Sequence, residues 1–157
     1  MALDCGIENP EPAGKPEPLG MFVPDDGPKV KINFDARCKA LEEAQREFVE
    51  LAKANSADAA LGAGADEIRV YRDGSFPAVG KTAAGALLNA QSGKMSFESM
   101  RNDMSHSADL SYTYGKYSRS HNGTAESGHF FQIWQTDAAG SWKLVLDWQQ
   151  ALPKEKP

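Results

Sequence analysis

The sequence predicts an α+β fold in which three N-terminal helices pack on a curved antiparallel sheet. The strongest observation lies between Ala108 and Gln150, where three strand-like segments are separated by turn signals at Asn122-Gly123 and at 137–140. Asn-Gly between alternating aromatic-rich segments favours a hairpin, because both residues tolerate positive φ. Helix-periodic segments upstream and a change of phase inside one long strand complete the prediction.

The helical part begins with a predicted amphipathic helix from Asp35 to Ala54. Its apolar residues recur every three or four positions, which places them on one face. Asn55-Ser56 provides an N-cap for a short helix over Ala57 to Leu61, which the following glycines end. Thr82 is expected to cap a third helix that runs through Asn89.

The strands between and after the helices carry two local signals. Asp73-Gly74 predicts a tight turn after the first strand. In the strand from Met95 to about His106, Met95 and Phe97 lie on one face, and Met100 and Met104 lie on the other. A change of phase by one residue is what a β-bulge produces, and a bulge bends the sheet so that one face becomes concave.

The domain organisation follows from composition. Residues 1–33 are a predicted Pro/Gly-rich tail or interdomain linker, residues 34–152 a single folded domain, and residues 153–157 a charged tail. Ala2-Leu3-Asp4 followed by Pro10 echoes Val145-Leu146-Asp147 followed by Pro153. The echo is either coincidence or a sign that Met1 begins inside the last strand of a preceding copy of the same domain in a longer natural chain.

Charge and composition exclude several classes of function. The formal net charge is -5, and no cluster of Lys and Arg interleaves with aromatic residues, so we expect no nucleic-acid partner. There is no apolar segment of the ~20 residues that span a bilayer, so no membrane partner is expected. The start lacks the features of a signal peptide. We therefore expect a soluble protein, cytoplasmic by default, or exported if the chain is a fragment.

Metal and cofactor sites are not predicted. The histidines, His106, His121 and His129, do not stand at metal-ligand spacing with one another or with Cys5 and Cys38. The sequence has no phosphate-binding glycine loop and no nucleophile motif. No metal and no cofactor is therefore expected, and both cysteines are interpreted as free thiols.

Several segments carry a resemblance to a known family. They are QREF at 45–48, RVYRDGSFPAVGK at 69–81, DLSYTYGKY at 109–117, GHFFQIW at 128–134 and WKLVLD at 142–147. In order and spacing they resemble the SnoaL-like branch (domain of unknown function 4440) of the nuclear-transport-factor-2-like superfamily, over about Phe34 to Leu152. The resemblance implies a cystatin-like cone whose sheet wraps around the helices and leaves a pocket at its open end. It also implies dimerisation through the outer face of the sheet.

The predicted binding site combines this cone with the aromatic rows of the strands. Trp142, Leu144, Leu146 and Trp148 alternate along the last strand, so they are expected to share its concave face. The strand before it carries aromatics on both faces, and a sheet that is apolar on both faces needs two covers, which predicts a homodimer. We expect a pocket for a small apolar or amphipathic molecule, bounded by Phe48, Tyr112 or Tyr114, His129 and Trp148.

Two functions remain open from the sequence. The first is an uncharacterised small-molecule-binding cone domain with an apolar pocket and no assigned reaction. The alternative is a lyase or isomerase of the polyketide-cyclase or ketosteroid-isomerase type, with a pocket His or Asp, for example Asp147, as general base. Two buried titratable groups that face each other would favour the enzyme. An interaction module joined to a partner domain is a third class.

Steroid isomerisation itself is not expected. In the resembling enzymes a tyrosine of the first helix and an aspartate near the first hairpin carry the chemistry. Here Phe48 stands at the tyrosine position and Tyr71 at the aspartate position, and only a shift of two residues would bring Asp73 there. An enolate oxygen in this site would lack its hydroxyl donor.

Overall fold

A computed structural model describes residues 32–121 and 123–153. Residues 1–31 of the predicted linker, with Cys5 and the possible preceding copy, lie outside these residues, as do Asn122 of the Asn-Gly turn and most of the charged tail. None of the described helices combines the length and the apolar character needed to cross a membrane. The elements in chain order are α1 (Phe34–Ala52), α2 (Ser56–Ala63), β1 (Gly64–Arg72), β2 (Ala78–Val79), α3 (Gly80–Ala90), β3 (Lys94–Met104), β4 (Leu110–His121), β5 (Thr124–Thr136) and β6 (Trp142–Ala151).

The strands form one sheet in the order β2-β1-β6-β5-β4-β3. The meander from β3 to β6 is antiparallel throughout, as the sequence predicts. One pairing differs from the expected antiparallel sheet, because β1 lies parallel to β6. Parallel neighbours require a long crossover, and here α3 and the strands β3 to β5 lie between them in the chain. The chain therefore forms three helices on a six-stranded curved sheet.

Helix starts are set by local capping. The Asn33 side chain accepts a hydrogen bond from the Ala36 amide at 3.1 Å, and α1 follows. Asn55 accepts from the Ala57 amide at 2.9 Å, which confirms the predicted cap of α2. The predicted Thr82 cap of α3 is wrong: the helix begins two residues earlier, at Gly80, and has no side-chain cap.

An aromatic cluster fills the space between α1 and the inner face of the sheet. Phe48 of α1 lies 5.3 Å from Phe97 and 5.8 Å from Trp134 between ring centroids, and Phe97 lies 5.0 Å from Phe130. Two of these three pairs are edge-to-face, an arrangement that aromatic quadrupoles favour. The cluster fixes α1 on β3 and β5.

The bulge predicted in β3 is confirmed. The register with β4 shifts between Ser99 and Arg101, which leaves Met100 as the extra residue, 61% exposed on the outer face. Met104 thereby returns to the inner face and packs against the core that Met95 and Phe97 enter.

A second bulge, in β6, was not predicted. Ile133 pairs with Leu146 and Trp134 pairs with Leu144, so Val145 is the extra residue. Trp142 and Leu144 are buried on the inner face, whereas Trp148 lies half-buried on the outer face. The prediction that these residues share one face is therefore wrong, because the bulge inverts the alternation in the second half of the strand.

Candidate functional site

An aromatic row crosses the outer face of the sheet, and the strand register builds it. Tyr114 pairs with Phe131, Phe131 with Trp148, and Trp148 with Tyr71. Residues paired across neighbouring strands lie about 5 Å apart and their side chains point to the same face. Four aromatic side chains therefore stand side by side, and Arg101, paired with Tyr114, ends the row at the edge strand β3.

A cavity of ≈ 670 Å³, the aromatic groove, lies over this row. Tyr112, Tyr114, His129 and Trp148, four of the five residues predicted to bind a ligand, all line it. The fifth, Phe48, does not: it is 3% exposed and packs in the core on the opposite side of the sheet. The expectation that one pocket collects all five is therefore wrong for Phe48. The full lining of the aromatic groove is Met100, Arg101, Tyr112, Tyr114, Gly115, His129, Phe130, Phe131 and Trp148.

A second cavity, the loop-side groove, adjoins the first. Its volume is ≈ 520 Å³, and Tyr112 and Phe131 line both cavities. Their rings are stacked with a centroid separation of 6.0 Å and an interplanar angle of 20°. This stacked pair separates the two grooves. The other residues lining the loop-side groove are Asp103, Met104, Ser105, His106, Leu110, Ser111 and Ile133.

The polar groups of the aromatic groove are weakly engaged. Arg101 lies 3.6 Å from the Asp103 carboxylate, and the two side chains are 61% and 53% exposed. Ion pairs this exposed contribute little to stability. His129 is exposed and forms no hydrogen bond to another residue of the described ranges. The guanidinium and the imidazole can therefore both bind a ligand.

The inner face carries a buried polar cluster. The Arg72 guanidinium forms an ion pair with the Asp147 carboxylate and donates to the Asp147 carbonyl oxygen at 3.0 Å. Gln132 Nε2 donates to Asp147 Oδ1 at 3.0 Å, and Gln149 Nε2 donates to Oδ2 at 3.3 Å. Asp147 is 0% exposed and both of its oxygens have donors. It is therefore held as a structural anion.

Asp147 belongs to a row of polar residues that crosses the inner face. In register these are Asn102, Thr113, Gln132 and Asp147, one from each of β3 to β6. Gln45 of α1 spans two of them: its Nε2 donates to Thr113 Oγ1 at 2.7 Å, and its Oε1 accepts from Asn102 at 3.1 Å. The row thus fixes the helix over the sheet by hydrogen bonds.

Sequence reasoning missed Arg72, Gln132 and Gln149. Polar residues alternating with apolar ones along a strand are ordinarily interpreted as a solvated face. The available signal was the hairpin register, which sets Gln132 opposite Asp147. Two polar side chains paired across strands and flanked by buried aromatics indicate a buried network.

The remaining predicted groups lie apart from the grooves. Asp73 is exposed at the hairpin, where its carboxylate accepts from the Ala151 amide at 3.2 Å. His121 contacts the Ser92 carbonyl, and Cys38 is a half-buried free thiol. Among residues 32–121 and 123–153, no group of three or more His, Cys, Asp or Glu side chains is arranged to hold a metal ion.

Comparison with known proteins identifies the fold. No protein-family model matches the sequence, and no curated protein matches it. A ketosteroid isomerase-like protein from Erwinia carotovora atroseptica superposes with a TM-score of 0.58 at 16% identity, over 73% of this chain and 95% of its own. The fold is the nuclear-transport-factor-2-like cone.

Two further solved structures agree with this identification. A nuclear-transport-factor-2-like protein of unknown function from Pseudomonas putida has a TM-score of 0.58 at 14% identity, covering 80% of this chain and 99% of its own. A protein from Novosphingobium aromaticivorans named as a candidate scytalone dehydratase has a TM-score of 0.58 at 12% identity, over 75% of this chain and 85% of its own. At these identities the likeness to the cone shows the fold alone.

Proposed function

We propose that this cone domain, a member of the SnoaL-like branch by the resemblance of its segments, binds a small amphipathic molecule in the aromatic groove. The observation that supports the proposal is the convergence of Tyr112, Tyr114, His129 and Trp148 on one cavity of ≈ 670 Å³. Small-molecule sites are mostly apolar clefts of about 300–1,000 Å³ with a few polar groups that orient the ligand. The groove has this character.

The expected affinity follows from the apolar area. A two-ring ligand that buries about 200 Å² gains roughly 5 kcal/mol at ~25 cal/mol per Å². That gain alone corresponds to a Kd on the order of 0.1–1 mM. Stacking adds about 0.5–1.5 kcal/mol for each aromatic pair. Contacts with Tyr114 and Trp148 therefore set the tightest expected Kd in the micromolar range, because the cost of association is not subtracted from this sum.

The contacts favour binding over the lyase or isomerase alternative. A general base must reach the proton that it abstracts. Asp147 is buried in its ion pair, with donors on both oxygens. His129 lines the groove and is the histidine that could act as a base there. An activated histidine is usually oriented by a carboxylate, and among the described residues no carboxylate forms a hydrogen bond to His129.

The same face supports a second proposal, a homodimer. Met100, Leu110 and Tyr114 are exposed apolar residues on this side of the sheet. A stable interface buries at least about 1,000 Å² in total, and the exposed apolar residues around the two grooves offer such a surface. A second copy that covered the aromatic groove would compete with the small molecule, so the two proposals are alternatives for that groove. Light scattering over a range of micromolar concentrations tests the homodimer. A monomeric mass throughout would contradict the dimer.

Tryptophan fluorescence tests the binding site. Of the three tryptophans, Trp134 and Trp142 are buried, whereas Trp148 lines the groove. Titration with N-phenyl-1-naphthylamine should quench wild type, and Trp148→Phe should lose the share of the quenching that comes from Trp148. Tyr114→Ala should weaken binding about tenfold, since a lost ring contact and its area cost about 1.4 kcal/mol.

The matched control is Leu51→Ala, which removes an exposed apolar side chain of α1. This variant should bind the probe as wild type does. Absence of any fluorescence response in wild type to a panel of apolar probes would overturn the proposed function.

A further inference from the structure

We infer that the ligand of the aromatic groove is a planar aromatic anion whose acidic group binds Arg101, an inference that rests on the proposed function. The groove has aromatic walls and a cation at one end. Arg101 is the one Lys, Arg, Asp or Glu residue among those that line the aromatic groove. The chain as a whole carries a formal charge of -5, so an arginine in this apolar lining runs against its overall balance; the Asp103 carboxylate lies 3.6 Å from the guanidinium.

The register sets the length of the site. Arg101, Tyr114, Phe131 and Trp148 occupy four adjacent strands. Neighbouring strands lie about 4.8 Å apart, so the row from Arg101 to Trp148 spans roughly 14 Å. A flat body of two fused or linked rings fits between them, with its rings on Tyr114 and Phe131 and its anionic group against the guanidinium.

Arg101 and Asp103 line different grooves, and the stacked Tyr112 and Phe131 rings line both. Asp103 lines the loop-side groove and is absent from the lining of the aromatic groove. Its contact with Arg101, at 3.6 Å, lies at the solvent-exposed rim. A ligand oxygen inside the aromatic groove can therefore bind the Arg101 guanidinium while the Asp103 carboxylate stays in the loop-side groove.

The Arg101 guanidinium suits an oxyanion. A guanidinium presents parallel N–H groups that match a carboxylate or sulfonate in a bidentate manner. His129, two residues from Phe131 along β5 and two strands from Arg101, can donate to a polar group elsewhere on the ligand. A neutral ring system would use only the aromatic walls, and a cation would be repelled by Arg101.

Two probes with the same ring system separate the anion contact from apolar binding. 1-Anilinonaphthalene-8-sulfonate carries a sulfonate, and N-phenyl-1-naphthylamine is its uncharged counterpart. We expect the sulfonate to bind wild type about tenfold more tightly than the amine. Arg101→Gln should weaken the sulfonate about tenfold and leave the amine unchanged, while Arg101→Lys should retain part of the preference.

Arg46→Gln is the matched control, since Arg46 is an exposed α1 arginine paired with Glu43 at 3.1 Å. It should alter neither affinity. Raising the salt concentration should weaken the sulfonate selectively, because exposed charges are screened. Circular dichroism of each variant, compared with wild type, verifies that the comparison is made between folded proteins.

The outcomes distinguish the two proposals. If neither probe binds, the proposed function fails. If both probes bind wild type equally, or Arg101→Gln weakens both alike, the groove binds ligands but the anion inference is wrong. If the sulfonate preference survives Arg101→Gln, another cation supplies it and the inference fails. If probe binding disappears as a dimer forms with rising protein concentration, a second copy is the occupant, and this also overturns it.

Discussion

Replacing Arg72 by Met should destabilise the domain through the charge that it leaves behind. The substitution keeps an apolar stem of similar length but removes the cation from Asp147, which is 0% exposed. Breaking a buried ion pair on one side costs about 3–5 kcal/mol, because the remaining charge is uncompensated. Gln132 and Gln149 still donate to the carboxylate, and each such bond is worth about 1 kcal/mol net, so we expect a loss at the lower end, about 3 kcal/mol.

Urea denaturation followed by tryptophan fluorescence measures this loss. For a domain of this size about 3–5 °C of Tm accompanies each kcal/mol, so the thermal midpoint should fall by about 10–15 °C. The double variant Arg72→Met/Asp147→Leu should recover only part of the loss, because it removes the uncompensated charge but leaves the buried Gln132 and Gln149 amides without their acceptor.

Arg46→Met provides the control for a generic loss of an arginine. Arg46 pairs with Glu43 at the surface, with both side chains more than 70% exposed, and such pairs contribute about 0–1 kcal/mol. The reasoning is refuted if Arg72→Met costs no more than Arg46→Met. It is refuted equally if the double variant is no more stable than the single one.

Three further outcomes follow from individual side chains and glycines. Burial raises the pKa of Tyr117 well above its usual 10.0. The contribution of Tyr117 to stability is therefore full below pH 10 and is lost as the pH rises above 10. Tyr117→Phe should flatten the alkaline limb of a plot of unfolding free energy against pH. A hydrogen bond from Ser107 lowers the pKa of Asp109 below 3.8. The contribution of Asp109 to stability is therefore present above that pH and is lost as the pH falls through the folded pKa. Asp109→Asn should flatten the acid limb of the same plot. Gly128→Ala should lower the free energy of unfolding in urea by about 1–3 kcal/mol, because the added Cβ would lie 2.1 Å from a backbone oxygen. Gly62→Ala in α2 meets open space and should raise the free energy of unfolding by about 0.5–1 kcal/mol. Equal melting temperatures for the two alanine variants would contradict that last comparison.

Local signals in the sequence predicted most of the fold. Asn55 caps α2 as predicted, because the side-chain oxygen of an asparagine before a helix accepts a hydrogen bond from the first helix amides whatever the tertiary packing around the helix. The methionine phase of β3 revealed its bulge, since Met95 and Met104 differ by an odd number of positions and both enter the core. Strong local chemistry of this kind is independent of long-range packing.

Four of the five residues predicted from the sequence line the aromatic groove, but the prediction placed them on the concave face of the sheet and the groove lies on the outer face. From Trp142 to Trp148 every second residue of the last strand is apolar, which is typical of a regular strand, and Val145 is a further apolar residue between Leu144 and Leu146. The bulge at Val145 is determined by pairing with β5, and no residue type at that position marks it. Trp148 therefore joined Tyr114 on the outer face, while Phe48 stayed in the core.

The bulge in β3 also has a consequence for solubility. The sheet order ends in β2 and β3, so among the described strands these two are the edges, and a regular edge strand can recruit another chain by backbone pairing. Met100 interrupts that template midway, and the charged Glu98, Arg101 and Asp103 flank the interruption on an exposed strand. At the opposite edge β2 is only two residues long and follows Pro77, which has no amide hydrogen to donate. Both edges are thus poor templates for strand addition, and the irregularity that curves the sheet helps the folded domain resist aggregation at high concentration.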